Sequence, residues 1–398
     1  MPFDRRTLDG LPLPGKRVLV RVDYNVPMDK GAVTDDTRIR ASLPTLRYLL
    51  DQKAKVILIS HLGRPKGQVN PKYSLAPVAQ HLSQLLKKTV SFAPDCVGPE
   101  AQAAVKGLQE GDILLLENLR FHPEEEKNDP SFSHSLARLA DVFVPDAFGA
   151  VHRAHASTAG VAHILPSAAG FLLQKELQFL GGIRENPSKP FVALVGGAKV
   201  SDKIEVLDKL LEKVDTLAIG GAMAYTFLTA LGVEVGNSLV EKDKLDLAKS
   251  LLEKAGKRKV SVLLPSDHMV VKAIDDQPSA QYTPDKAIPS GWIGVDIGPK
   301  TVQHLTSPLT SAKTVFWNGP MGIFEVDRYA QGTKDVAKLA VEAAGRGATV
   351  VVGGGDSVAA VQGLGLADKI THISTGGGAS LEFLEGKDLP GVSSLANK

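Results

Sequence analysis

Apolar positions along the chain fall into two kinds of run that alternate almost from end to end. Short runs rich in β-branched residues and leucine read as buried strands at 17–22, 55–59, 89–92, 112–117 and 141–144. A second series follows at 191–195, 216–219, 260–264, 293–297, 314–317, 349–352 and 372–374. Between them lie amphipathic stretches; in 37–51, Ile39, Leu43, Leu46, Leu49 and Leu50 recur close to helical spacing. Strand–helix alternation predicts an α/β fold built on parallel sheets. The pattern changes between 160 and 190. There 171–180 reads as an amphipathic helix closed by Gly181-Gly182, and Pro187 and Pro190 punctuate the approach to the next strand. The expected organisation is a lobe over 1–170, a hinge helix and linker over 171–190, and a second lobe over 191–385.

In parallel α/β sheets ligands sit beyond the carboxyl ends of the strands, so the residues after each strand matter most. The first strand runs into Arg21-Val22-Asp23-Tyr24-Asn25, and the next into Ser60-His61-Leu62-Gly63-Arg64-Pro65. Later come Glu117-Asn118-Leu119-Arg120-Phe121-His122 and the stretch from Asp146 to His155 that holds Arg153; Arg38 opens the first long helix. Four crossovers thus aim Arg and His at one sheet edge. Guanidinium forks suit carboxylate and phosphate oxygens, so the expectation is a preformed pocket for a small, multiply charged anion. Glu124-Glu125-Glu126-Lys127 reads as a solvated loop without a role.

The second half carries three glycine-rich strand–helix turns: Gly196-Gly197-Ala198-Lys199, Gly353-Gly354-Gly355-Asp356-Ser357 and Ser374-Thr375-Gly376-Gly377-Gly378. Each presents helix-start amides to phosphate oxygens. In the first, Ser201 is positioned to cap the following helix, and Lys199 and Lys203 stand at its entrance, where they call for an anion. Asp356 suits an ordinary N-cap and also a magnesium ligand, since Mg²⁺ takes one or two carboxylates beside phosphates and water. Glu325, after Trp317-Asn318-Gly319-Pro320, could accept from ribose hydroxyls. No turn fits the Walker A pattern or the full dinucleotide fingerprint.

Composition narrows the partners. The chain has 398 residues, 43% hydrophobic and 23% charged, with a net charge of +2, which gives no global attraction to nucleic acid or acidic membranes. No apolar run approaches a membrane span, the N-terminus lacks a signal-peptide pattern, and the single Cys96 fits a reducing compartment; a cytoplasmic location is expected. Two anion sites, one of them for a nucleotide, point to phosphoryl transfer, with Lys199 and Arg38 best placed to hold the moving group. The lack of an evident general base fits a carboxylate acceptor, already ionised at neutral pH.

These motifs, in this order and over nearly the whole length, resemble the phosphoglycerate kinase family. The resemblance implies two Rossmann-like lobes closing about the hinge helix. It also implies reversible glycolytic transfer between 1,3-bisphosphoglycerate plus ADP and 3-phosphoglycerate plus ATP, with Mg²⁺, in a monomer. Carried over by motif, the phosphoglycerate site comprises Arg21, Val22, Asp23, Asn25, Arg38, His61, Leu62, Gly63, Arg64, Arg120 and Arg153. The nucleotide site comprises Gly197, Lys199, Lys203, Gly294, Asn318, Glu325, Gly354, Gly355, Asp356 and Ser357. Arg38, Lys199 and the amides of Gly376, Gly377 and Gly378 surround the transferring group, Asp356 holds the metal, and the tail at 386–398 returns to the first lobe. Two positions depart from the family pattern: Tyr24 stands where phenylalanine is common, and 264–270 differs from the usual run. A binding protein without turnover and a nicotinamide oxidoreductase are the rival readings; retention of Arg38, Lys199 and Asp356 weighs against the first, and the missing fingerprint against the second.

Overall fold

The computed structural model describes residues 6–395. Residues 1–5 and 396–398, which hold most of the N-terminal stretch and the end of the tail considered above, lie outside the described residues. The chain divides into two compact units, one containing the residues up to Gln178 together with those from Lys387 onward, the other Phe179–Gly386.

The first unit is built on five parallel strands: β1 (Arg17–Val22), β2 (Lys55–Ile59), β3 (Ser91–Ala93), β4 (Ile113–Leu116) and β5 (Val142–Asp146), in the spatial order β3-β4-β2-β1-β5. Val20 is in register with Leu58 on one side and Val144 on the other. Strands buried on both faces need apolar residues at nearly every position, which is why these runs do not alternate. Helix α1 (Thr37–Asp51) lays Ile39, Leu43, Leu46 and Leu49 against the sheet core. The described part of the tail belongs to this unit; Gly391 N donates to Val151 O at 2.9 Å.

Helix α2 (Phe171–Glu185) corrects the expected stop at Gly181-Gly182. Neither glycine takes a positive φ, so neither forms the left-handed cap that ends a helix. Leu180 and Ile183 are buried and the Arg184 guanidinium lies 4.1 Å over the Phe383 ring, so packing carries the helix through both glycines. At the other end, Asp146 Oδ1 accepts from Leu172 N and Leu173 N.

The second unit contains β6 (Phe191–Val195), β7 (Thr216–Ile219), β8 (Ser261–Leu263), β9 (His268–Val271), β10 (Gln281–Tyr282), β11 (Ile293–Ile297), β12 (Thr314–Asn318), β13 (Thr349–Gly353) and β14 (His372–Ile373). Six of these form a parallel sheet in the order β8-β7-β6-β12-β13-β14. The strand at 293–297 is not one of them: β11 pairs antiparallel with β9 in a separate sheet ordered β10-β9-β11. This accounts for the atypical 264–270 stretch. Its His268–Val270 portion supplies the centre of that small sheet, and buried Asp267 caps α3 (Pro299–Ser311) by accepting from Lys300 N and Thr301 N. His268 packs 5.5 Å from Tyr225, and burial holds its pKa down to about 4.

Candidate active site

In the first unit the strand ends form one hydrogen-bonded network. Arg38, in the first turn of α1, reaches back to the loop after β1: its NH1 lies 3.2 Å from Asp23 Oδ2 and donates to Asn25 O at 3.0 Å. Asn25 Oδ1 accepts from Gly63 N at 2.9 Å, and Gly63 O accepts from Arg120 NH1 at 2.9 Å. Three crossovers, after β1, β2 and β4, are thereby locked together. The Leu62 backbone is gripped by Asn118, which donates from Nδ2 to Leu62 O (2.7 Å) and accepts at Oδ1 from Leu62 N (3.2 Å). Sequence reasoning quoted Asn118 within a motif without seeing this clamp; an amide directly after a buried strand was the available signal.

Arg21 and His61 lie beneath this network. Arg21 is 1% exposed, and its NH2 is 3.1 Å from His61 Nδ1. Burial first, then the positive charges of Arg21, Arg120, Arg38 and His155, hold the His61 pKa well below its usual value. Burial first, then the neighbouring Arg21, Arg120, Arg153 and His152, take His155 down to about 4. Val22 is buried in the strand end. Arg64 and Arg153 are exposed; Arg153 Nε lies 3.1 Å from His152 Nε2, and among the described residues no hydrogen bond ties Arg64 to the cluster, while burial first, and then the charges of Arg21 and Arg153, lower the Arg120 pKa. The Tyr24 hydroxyl turns away into the interior, 2.9 Å from Ser42 Oγ on α1. Glu125 is fully buried, which corrects its reading as part of a solvated loop.

In the second unit, close backbone contacts assemble the turns. A Cβ on Gly196 would lie 2.0 Å from Pro320 O, and one on Gly221 would lie 2.5 Å from Gly197 O, so these loops meet only because glycine fills those places. The turn after β6 differs from expectation. The next helix, Ile204–Leu210, has Lys203 at its N-cap position, and Ser201 does not cap it. Instead Glu241 takes the anion's place: its carboxylate accepts from Val200 N (2.5 Å), Ser201 N (3.2 Å) and Ser201 Oγ (2.5 Å). Lys199 stays exposed. Lys203 bonds Asn318 Oδ1 from a half-buried position that lowers its pKa, against which the charges of Asp202 and Asp356 act.

Around β13, Gly354 adopts φ 89°, and Ser357 Oγ accepts from Gly319 N (2.8 Å) while donating to Gly353 O (2.7 Å), joining two turns. Asn318 Nδ2 is buried without a partner among the described residues, 2.9 Å from where a Gly354 Cβ would stand. Gly355 and Asp356 are exposed at the start of helix Gly355–Gly363. Among the described residues no hydrogen bond or ion pair engages the Asp356 carboxylate, so the donor set fits Mg²⁺: one free carboxylate beside amides suited to phosphate. After β14, Gly376 N is taken by Ser374 Oγ at 3.2 Å, which leaves Gly377 and Gly378 as that turn's available amides. Gly294 sits on β11 against Tyr225, outside the glycine turns, and the loop bearing exposed Glu325 joins the same strand through Ile323 N to Val295 O.

Two parallel sheets, each with groups suited to phosphate oxygens at its carboxyl edge, give the architecture of a candidate two-unit α/β phosphotransferase. The family model described as phosphoglycerate kinase matches residues 8–387. A phosphoglycerate kinase of Moorella thermoacetica is 59% identical, covering 98% of this chain and 99% of its own. "Phosphoglycerate kinase 3, cytosolic" of Arabidopsis thaliana is 58% identical, covering 98% and 97%. The solved phosphoglycerate kinase of Coxiella burnetii superposes with a TM-score of 0.87 at 42% identity, covering 98% of each chain. The chain belongs to the phosphoglycerate kinase family. Among the described residues no helix is long and apolar enough to cross a membrane.

Proposed function

We propose that this chain catalyses reversible phosphoryl transfer between 1,3-bisphosphoglycerate plus ADP and 3-phosphoglycerate plus ATP, as a cytoplasmic monomer whose two units each hold one substrate. The observation that carries this reading is the locked cluster of Arg38, Asp23, Asn25, Gly63 and Arg120, a preorganised cationic surface in a chain of this family. Arg64, Arg153 and the His61 ring extend it toward a phosphorylated acid. The cytosolic relative and the single cysteine support the location.

The acceptor is a carboxylate with a pKa of about 3–4, so it attacks the γ-phosphorus without giving up a proton. One P–O bond forms as the bond to the ADP oxygen breaks, and the charge passes to ADP. Arg38, Lys199 and the Gly377 and Gly378 amides lower the barrier by binding the equatorial oxygens more strongly in the transition state than in the ground state. Lys203, Asn318, Gly197 and the turn Gly354-Gly355-Asp356-Ser357 hold the nucleotide, with Gly294 and Glu325 on the side of the base and ribose. Asp356 would hold Mg²⁺, which would supply charge neutralisation there. A coupled assay should show ATP turnover that requires both 3-phosphoglycerate and Mg²⁺; absence of that turnover rejects the reading.

In-line transfer needs the reacting atoms about 3–3.5 Å apart. Ligand binding therefore brings the two units to that separation, with α2 and the linker to residue 190 as the hinge. Small-angle scattering should change when both ligands are present, and identical curves would remove the hinge from the mechanism.

A further inference from the structure

We propose that Glu125 is a positioning residue for the phosphoglycerate site: acting through Ser157 and Arg21, it holds His61 as the neutral tautomer protonated on Nε2. This inference rests on the function proposed above for what the ring contacts, but not for how the ring is held.

Each hydrogen bond in the chain has a direction fixed by chemistry. Arg21 has donors only. Its NH2 lies 3.1 Å from His61 Nδ1, so Nδ1 must accept and the ring proton is on Nε2. A doubly protonated ring would set N–H against N–H. Arg21 Nε donates to Ser157 Oγ at 2.9 Å, and its NH1 donates to Val22 O. Ser157 Oγ has one proton, and donates it to Glu125 Oε1 at 2.5 Å, while Ser157 N donates to Glu125 Oε2 at 3.0 Å. Both carboxylate oxygens thus accept. The relay runs from the loop after Phe121, through the segment 156–160, to the end of β1 and the loop after β2.

Burial makes the relay consequential. Glu125 and Ser157 are 0% exposed and Arg21 is 1% exposed, so the Arg21 charge is withdrawn from bulk solvent and needs a counter-charge inside the unit. The charged groups that oppose a second proton on His61 are Arg21 from β1, Arg38 from α1 and Arg120 after β4, and the titratable His155 beside the Ser157 segment acts in the same direction when protonated. The Glu125 carboxylate, with His155 Nδ1 3.9 Å from its Oε1, is the buried anion on the far side of Arg21. Burial raises the Glu125 pKa, and Arg21 and the two Ser157 bonds oppose the rise. If the acid becomes an amide, its –NH2 can donate to Ser157 Oγ. Ser157 Oγ then loses the acceptor that fixes its proton, and the negative charge that balances Arg21 is gone, so the grip on Arg21, and through it on Nδ1, is loosened.

The test uses the full-length chain with ¹⁵N-labelled histidine, the His61 signals being assigned by comparison with His61→Gln. Wild type should show an acceptor-type Nδ1 and a protonated Nε2. Glu125→Gln and Ser157→Ala should move His61 toward mixed tautomers and raise KM for 3-phosphoglycerate by roughly tenfold or more, with kcat changed less. A role confined to folding would lower Tm in both variants and leave the ring pattern and KM alone, and that result overturns the proposal. If Glu125→Gln does not fold, Ser157→Ala decides by the same two readouts. Wild-type turnover of 3-phosphoglycerate tests the proposed reaction separately from the ring's tautomer.

Discussion

The two units present the groups proposed to bind anions at their sheet edges by different means. The first uses long cationic side chains, and each must be held: Arg38 by Asp23 and Asn25 O, Arg120 by Gly63 O, Arg21 by Ser157. The second uses backbone amides on glycine turns, where the requirement is absence, since Gly196, Gly221 and Gly354 leave no room for a Cβ. Side-chain sites gain charge and geometry, but carry buried charges that need partners. Backbone sites need no counter-ion but depend on close approach. The arginine cluster of the first unit should therefore fail by deletion of a side chain, and the glycine turns of the second by addition of a methyl group.

The largest effect should come from the two side chains proposed to meet the transferring group. Arg38→Ala and Lys199→Ala should each lower kcat by about 10²–10³, the usual loss for one preorganised electrostatic contact in a transition state. Both variants should unfold at nearly the wild-type temperature, because Arg38 is partly exposed and Lys199 exposed. Unchanged kcat in either variant removes that residue from the chemistry.

Next is the methyl test. Gly354→Ala places a Cβ 2.9 Å from Asn318 Nδ2 at φ 89°, a backbone region that costs a side-chain-bearing residue about 1–3 kcal/mol. KM for ATP should rise about tenfold, while KM for 3-phosphoglycerate, measured at saturating nucleotide, stays at the wild-type value. Equal changes in both constants would erase the contrast between the units.

The same contrast explains what could be read from residues alone. Strands such as 17–22 and 55–59 were legible because burial on both faces demands unbroken apolar runs, and the post-strand arginines were legible because parallel sheets put those positions at one edge. The partners that hold those groups were not. Glu125 sits in a run of acidic residues, and nothing local separates the one under Ser157 from its exposed neighbour Glu126. Glu241, forty residues from the turn whose amides it occupies, is equally silent in sequence. The antiparallel pairing of β11 was hidden because a short strand such as Ile-Gly-Val-Asp-Ile reads alike in either direction. Long-range polar pairing, unlike hydrophobic period, leaves no local trace.

The smallest expected effect separates two buried carboxylates, one in each unit, that burial raises to a pKa of about 7: Asp146 and Asp296. In the folded state each binds a proton more readily than its unfolded counterpart with a pKa near 4. Stability should therefore fall as pH rises from about 4 to about 7, by roughly a few kcal/mol at most. The hydrogen bonds around the two acids differ. At Asp146 both helix amides, Leu172 N and Leu173 N, use Oδ1, and Oδ2 has no partner among the described residues. Asparagine can keep Oδ1 in place and set its –NH2 on the other side, where the Thr45 hydroxyl can turn to accept and no fixed amide opposes it. At Asp296 the oxygens are divided, Oδ1 accepting from Ile297 N and Oδ2 from Gly332 N, so an –NH2 must face one of these amides. Asp146→Asn should thus flatten the pH dependence at a cost within about 1 kcal/mol, whereas Asp296→Asn should cost about 1–3 kcal/mol at every pH. Urea unfolding between pH 5 and 8, followed by a probe in each unit, reads both values, and equal costs for the two substitutions would show that the division of acceptors does not matter.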